Sequence, residues 1–284
     1  MDTELLRTFL EVKKTRHFAR AAQNLFVTQA AVSARINQLE GVLGQRLFTR
    51  TRNNIQLTTT GHQLVPYAET ILSAWSRALL ASSAREGSKS LVVLGCLPSL
   101  REIYLDSWLL RLLETPHQWL LQVESRNTSE LVASVRDSAI GIGMLYEPPR
   151  AADLWVMPLT RFDLILVASM AGLNVATALP DYLYVDWGSS FAVAHNAQLA
   201  DRAIAETKVD TPLLAKQVLL RHGGTAYLAS PMIDQDLEKG YLHRVVDAPV
   251  IEREVFLIGR KETENEPTIM QLREALLALA AGDA

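Results

Sequence analysis

The chain has 284 residues, 49% of them hydrophobic, enough for about two domains with substantial cores. Its single cysteine, Cys96, excludes an internal disulfide, no Cys/His cluster offers a metal site, and no run approaches the roughly 18 apolar residues of a membrane-spanning helix. The net charge is −3, but residues 1 to 60 hold nine Lys or Arg against four Asp or Glu (+5), leaving 19 against 27 (−8) in the remainder. That asymmetry is expected of a nucleic-acid-binding module joined to a domain with a different partner.

Met1 leads into an amphipathic helix with no apolar signal segment, so a cytoplasmic protein with no membrane partner is expected. Leu5, Leu6, Phe9, Leu10 and Val12 supply the apolar face of this first helix, and Asp2 or Thr3 can cap it. His17 to Leu25 reads as a second, short helix with Phe18, Ala21, Ala22 and Leu25 inward, and Phe26 and Val27 make a tight apolar connection. Thr28 is a plausible cap for a third helix. There Val32, Ile36, Leu39 and Leu43 step by four, three and four, forming one apolar stripe, and Gly41 and Gly44 mark its end. Ala30, Ala34 and Asn37 lie opposite the stripe, with Gln29 and Ser33 on one flank and Arg35 on the other. Small and amide side chains on an outer face suit contact with base edges, since Gln and Asn can bond a base bidentately and an Ala methyl can touch a thymine methyl. An ordinary surface helix is the alternative for this segment alone. Two short helices, a tight turn and a longer helix form the helix-turn-helix arrangement.

Residues 47–52 and 55–58 are strand-like around Asn53-Asn54, a pair suited to a two-residue hairpin turn. Arg50 and Arg52 flank that turn, where they could contact phosphate or the minor groove, or be merely solvated. A basic hairpin directly behind a reading helix is a wing. The run AAQNLFVTQAAVSARINQLEGVLGQRLFTRTRNNIQLTTTG resembles the DNA-binding domain of LysR-type transcriptional regulators. Among its anchors are Phe9, Phe18, Thr28, Gln29, Ser33, Ile36, Leu39, Glu40, Arg50 and Gly61. More loosely, MDTELL, RHF and RNNI resemble the subgroup of the H-NS-dependent repressor of the flagellar master operon. Many family members carry Arg after the Ser of the reading helix; here Ala34 stands there and the basic residue is Arg35. The expected DNA-binding residues are Thr28, Gln29, Ala30, Ser33, Ala34, Arg35, Asn37, Arg50, Arg52 and Asn53.

Thr60 and Gln63 have capping-box spacing. Leu64, Ala68, Ile71, Trp75 and Ala78 then step by four, three, four and three, a heptad seam that wants a partner helix. It could pack on the chain's own body; the resemblance implies antiparallel pairing with its twin in a homodimer, and tetramers are usual in the family. Pro66 is expected to bend this helix near its start, and Ser82 to Ser90 reads as a hinge.

From residue 89 onward strands and helices alternate. Leu91–Leu94 reads as a buried parallel strand, followed by a helix from about Ser99 to Leu113. Further strands are expected at Trp119–Val123, Ala139–Leu145, Leu164–Ala168, Leu183–Trp187, Ala226–Ala229, His243–Val246 and Val255–Gly259. Helices are expected near Thr128, from Pro212, and over Gln271–Ala281. The alternation predicts an open α/β sheet. Ligands of such sheets sit beyond strand ends, near helix N-termini. Three loops fit: Cys96 to Ser99, Arg126 to Ser129, and Gly188 to Ser190. Helix capping is the competing role for each Ser or Thr, and packing is the competing role for Cys96.

The resemblance implies a two-lobed effector domain like a type 2 periplasmic binding protein, with a small-molecule effector between the lobes. The expected boundaries are a winged helix-turn-helix over 1–59, a linker helix and hinge over 60–88, and an effector domain over 89–284, with lobe I about 89–161 plus 263–284 and lobe II about 162–262. The candidate effector residues are Cys96, Ser99, Asn127, Thr128, Ser129, Ser189 and Ser190. The GCLPSL loop is more apolar than is typical, and Phe191 stands where a Thr-Arg pair commonly follows Ser190. Asp186, Ser189 and His195 are close in sequence and His222 precedes Gly223-Gly224, but no G-x-S-x-G elbow, P-loop or dinucleotide fingerprint is present, so neither an enzyme nor a cofactor is expected. The expected partners are double-stranded operator DNA, further copies of the chain, an unidentified effector and RNA polymerase. The alternatives are a DNA-binding regulator or architectural protein whose C-terminal domain serves only oligomerisation, and an enzyme fused to a DNA-binding module.

Overall fold

A computed structural model describes residues 2–51, 54–83, 90–114, 119–199 and 207–282. The chain divides into two compact units, Met1–Gly87 and Ser88–Ala284. The first contains α1 (Thr3–Thr15), α2 (Phe18–Asn24), α3 (Gln29–Leu43), β1 (Phe48–Thr51), β2 (Asn54–Leu57) and α4 (Thr59–Ser83). Each early helix begins on a side-chain cap: Asp2 accepts from the Glu4 amide, His17 from Ala19, and Thr28 from Ala31. These bonds satisfy amides that have no partner within the helix. Leu6, Phe9, Val12, Ala21, Val32, Ile36, Leu39 and Leu47 pack as one core, with the Phe48 ring 5.5 Å from Phe9 and 6.3 Å from Phe18.

Four expectations shift here. Leu43 is exposed, so the buried stripe of α3 ends at Leu39. Gly41 lies inside α3, and Gly44 alone closes it, at φ 67°. Phe26 adopts φ 54° and turns its ring almost fully into solvent, leaving Val27 as the packed residue of the turn. The cap of α4 is Thr58, whose hydroxyl accepts from the Gly61 amide at 3.0 Å and donates to the Arg46 carbonyl at 2.7 Å, so the capping-box spacing of Thr60 and Gln63 is not the one used. Gly61 has a packing reason: a Cβ there would lie 2.3 Å from the Leu47 carbonyl oxygen.

The second unit opens with β3 (Ser90–Cys96), α5 (Pro98–Leu100), a wide π turn over Arg101–Leu105, α6 (Asp106–Glu114), β4 (Trp119–Ser125), α7 (Thr128–Arg136) and β5 (Ile142–Leu145). It continues through β6 (Leu154–Ala168), α8 (Val175–Ala178), β7 (Leu183–Val185), α9 (Ser189–Leu199), β8 (Thr207–Val209) and α10 (Pro212–His222). The last elements are β9 (Thr225–Ala229), α11 (Ser230–Glu238), β10 (His243–Arg244), β11 (Ile251–Arg260) and α12 (Pro267–Gly282). The sheet runs β10-β6-β11-β5-β3-β4, with β9 also paired to β6. It is mixed: β3 is parallel to β4 and β5, as its all-apolar run predicts, while β11 and β9 pair antiparallel with their neighbours. The long ribbon β6–β11 carries both halves of the unit. One half adds β5, β3 and β4; the other adds β9 and β10, beside the separate parallel pair β7–β8. Between the halves the ribbon changes register at Val255/Phe256, a bulge that bends it.

Candidate functional sites

The first site is the outer face of α3. Val32, Ile36 and Leu39 are buried at 0–1% exposure, while Gln29, Ala30, Ala34 and Asn37 are exposed and Ser33 is half-buried. A backbone carrying methyl and amide groups outward can come close to base edges. The Thr28 hydroxyl is engaged in the cap, 3.2 Å from the Ala31 amide. Arg35, one of the expected DNA-binding residues, is engaged within the domain. Its guanidinium reaches the Glu4 carboxylate at 3.4 Å and the Thr8 hydroxyl at 3.3 Å, so it ties α3 to α1. Arg50 pairs with Ile55 across the wing, and Arg52 and Asn53 lie outside the described residues.

Glu40 entered the sequence analysis only as an anchor of the resemblance, with no role assigned. Its buried carboxylate accepts from the Leu47 amide at 2.8 Å and from Arg46 at 3.0 Å, fastening the end of α3 to the start of the wing. The available signal was its place, four residues after Ile36 on the buried stripe, where an acid must find donors.

The α4 seam divides. Ala68 is fully buried in the unit's own core and Leu64 packs against it, so these two positions face the body. Ile71, Trp75 and Ala78 remain exposed, and Tyr67 extends the exposed apolar row.

The second site lies between the two halves of the C-terminal unit. Cys96 does not line it: the side chain is fully buried, its sulfur 3.9 Å from the Glu124 carbonyl, and burial pushes its pKa up to about 11. Ser99 is buried too, its hydroxyl 2.8 Å from that of Tyr146. Asn127 serves mainly as the cap of α7, its side-chain oxygen accepting from the Glu130 amide at 2.9 Å and the Ser129 hydroxyl at 2.8 Å. Asn127, Thr128 and Ser129 nevertheless line a hollow of about 780 Å³ together with Glu147 and Pro149. A second hollow, about 820 Å³, is lined by Ser189, Gly188, Tyr184, Lys208 and Asp210 among others.

Glu147 lines the first hollow and is bonded to Ser189, which lines the second. Its carboxylate accepts from the Ser189 hydroxyl, from the Ser190 amide at 2.7 Å, and from Arg253 at 3.3 Å. Burial alone would raise its pKa; the Ser189 and Ser190 donors and the Arg253 charge outweigh that and hold it at about 2. Arg253 is itself buried, with its guanidinium 4.8 Å from the centre of the Tyr146 ring. Neither residue was singled out from sequence. Arg253 had a signal: it sits on the inward phase of Ile251, Arg253 and Val255, between the exposed Glu252 and Glu254.

No triad assembles from the Ser, His and Asp near residue 190. Ser189 is engaged with Glu147, and Asp186 accepts from the Gly188 amide at 2.9 Å. His195 is buried among the rings of Tyr182, Tyr184, Phe191 and Tyr227. Among the described residues no group of three or more His, Cys, Asp or Glu could hold a metal, and no helix is long and apolar enough to cross a membrane.

A winged helix-turn-helix followed by a two-lobed α/β unit with a central cleft defines a class of ligand-responsive DNA-binding regulators. Residues 3–62 match the family model described as a bacterial regulatory helix-turn-helix protein of the lysR family, and residues 85–281 match the LysR substrate binding domain. The chain therefore belongs to the LysR family of DNA-binding transcriptional regulators, as its first sixty residues led one to expect. Relatives called HTH-type transcriptional regulator HdfR, from Salmonella schwarzengrund (strain CVM19633) and Salmonella newport (strain SL254), are each 36% identical over 278 residues, covering 96% of this chain and 97% of theirs. The fold is shared with CbnR, a LysR family transcriptional regulator, at TM-score 0.77 and 17% identity over 99% of both chains. Full-length CbnR complexed with its target DNA gives TM-score 0.73 at 18% identity over 100% of both chains. Vibrio fischeri DarR in complex with DNA gives 0.59 at 19% identity, covering 98% of this chain and 99% of that one.

Proposed function

We propose that this regulator binds an operator as a homodimer, with α3 in the major groove of each of two half-sites and the wing against the adjacent backbone or minor groove. The observation that carries this is the division of α3: Val32, Ile36 and Leu39 are buried, while Gln29, Ala30, Ala34 and Asn37 face outward. Such a helix has nothing apolar to hide on its outer face and presents two amides to read bases. The exposed row Tyr67, Ile71 and Trp75 supports pairing of α4 with its twin, with tetramers and contact with RNA polymerase as further levels of assembly. A small-molecule effector between the lobes acts by binding two arrangements of the domain unequally. The hollows beside Glu147 and Ser189 support this role.

The expected footprint covers a pseudo-palindrome whose half-sites lie about one helical turn or more apart. Uniform protection of DNA of any sequence would sink the proposal. A second reading, regulation without an effector, is favoured by the engagement of Ser99 with Tyr146 and of Ser189 with Glu147. It predicts a footprint that no metabolite from cell extract alters.

A further inference from the structure

The cleft holds a complete seat for one carboxylate. Arg253 has a side chain only 6% exposed and an Nε buried without a hydrogen-bond partner, while its Nη2 reaches the Glu147 carboxylate at 3.3 Å. On one wall the Ser189 hydroxyl and the Ser190 amide converge at the first turn of α9, where the helix dipole favours an anion. Gly188 sits against both charges at φ 92°; a Cβ on it would come 3.3 Å from Arg253 Nη2 and 3.4 Å from Glu147 Oε1. The backbone is thus shaped to close around the carboxylate. The occupant comes from the opposite half: Glu147 follows Tyr146 just beyond the end of β5.

We propose that Glu147 is the domain's own substitute for an anionic ligand, filling this seat so that the two halves are joined without effector and carboxylate effectors are refused. The proposal rests on reading the cleft as the ligand site. A ligand carboxylate would have to displace a covalently tethered one that already holds the buried cation and both Ser189 and Ser190 donors. Its charge would also face that of Glu147. Glu147 is therefore the specificity-determining residue of the cleft, restricting it to neutral or cationic ligands in the flanking hollows.

The test is thermal unfolding of the full chain in sodium acetate against sodium chloride at equal ionic strength. Glu147→Ala vacates the seat and leaves room for acetate, whose atoms match the missing CH₂–COO⁻. The expected midpoint in chloride falls by roughly 2–8 °C, and acetate recovers a saturable part of the loss. The native chain is expected to show no acetate-specific rise. Glu147→Gln keeps the seat filled with a neutral group, so it loses stability but gains nothing from acetate. Absence of acetate recovery in Glu147→Ala, or an equal acetate response in the native chain, would overturn the proposal. If Glu147→Ala does not fold, an acetate response in Glu147→Gln overturns it and none upholds it. These readings do not involve DNA. The effector role of the cleft fails separately, if no neutral or cationic metabolite changes the footprint.

Discussion

Buried polar side chains set the character of this molecule where they find partners, and again where they do not. Buried Glu40 is satisfied by donors six and seven residues on, and half-buried Glu147 by donors 42 to 106 positions away. His195 is the contrast: it is buried, the Tyr182 ring stacks on it at 5.5 Å, and desolvation, only partly opposed by the Asn196 side chain, lowers its pKa below the ordinary 6.5. As pH falls, the unfolded chain takes up this proton first. The stability tied to neutral His195 is therefore complete above about pH 6.5 and declines as pH drops toward the folded value. Thermal midpoints at about pH 7.5 and 5.5 should separate further in the native chain than in His195→Phe, which keeps an aromatic ring without a titrating group. Equal separation would show that the buried imidazole plays no part in acid sensitivity.

At the scale of elements, α3 assigns different work to its two faces. Arg35 bonds to α1, whereas Asn37 is exposed. Arg35→Ala is expected to cost up to about 1 kcal/mol of stability, as for a partly exposed ion pair, and to leave the salt dependence of DNA binding unchanged. Asn37→Ala should alter stability by no more than about 0.5 kcal/mol while losing about 1–3 kcal/mol of discrimination at one base position. Denaturant titration and binding to systematically altered sites at two salt concentrations separate the two. A drop of about one in the salt slope for Arg35→Ala would instead make that residue a phosphate contact. The wing depends on similar cross-links, since Glu40 and Thr58 grip Arg46 and Leu47 from opposite sides.

For the whole molecule, the proposed pairing rests on the half of α4 that its own domain does not cover. Ala68 anchors the helix inward, while Tyr67, Ile71 and Trp75 leave an apolar row in water. A contiguous exposed apolar row of this kind marks a surface suited to a protein partner. Ile71→Glu with Trp75→Glu should keep the domain folded, because neither side chain is in its core. The double variant is expected to lower the mass measured by sedimentation. Its affinity for a two-half-site operator should fall toward that for a single half-site. A variant that stays a dimer would place dimerisation elsewhere.

Sequence alone determined α1, α2 and α3, because each has a local apolar period that needs no distant partner to be recognised. It likewise identified the wing by two strand-like runs around an Asn-Asn turn, the parallel strand β3 by its unbroken apolar run, and the family by the density of matching anchors. Tertiary structure decided the rest. The first half of β6 escaped because Pro158 argues against a strand, yet it lies at the register shift opposite Phe256, where a missing ladder bond is tolerated. Helix α9 escaped because His195 interrupts the apolar stripe of Phe191 and Leu199. Which seam residues of α4 are free, which hydroxyls of the cleft are already engaged, and that Glu147 meets Arg253 across 106 positions were decided only by packing. Charged partners far apart in the chain leave no period in the sequence; the fold brings them together and only then makes their burial affordable.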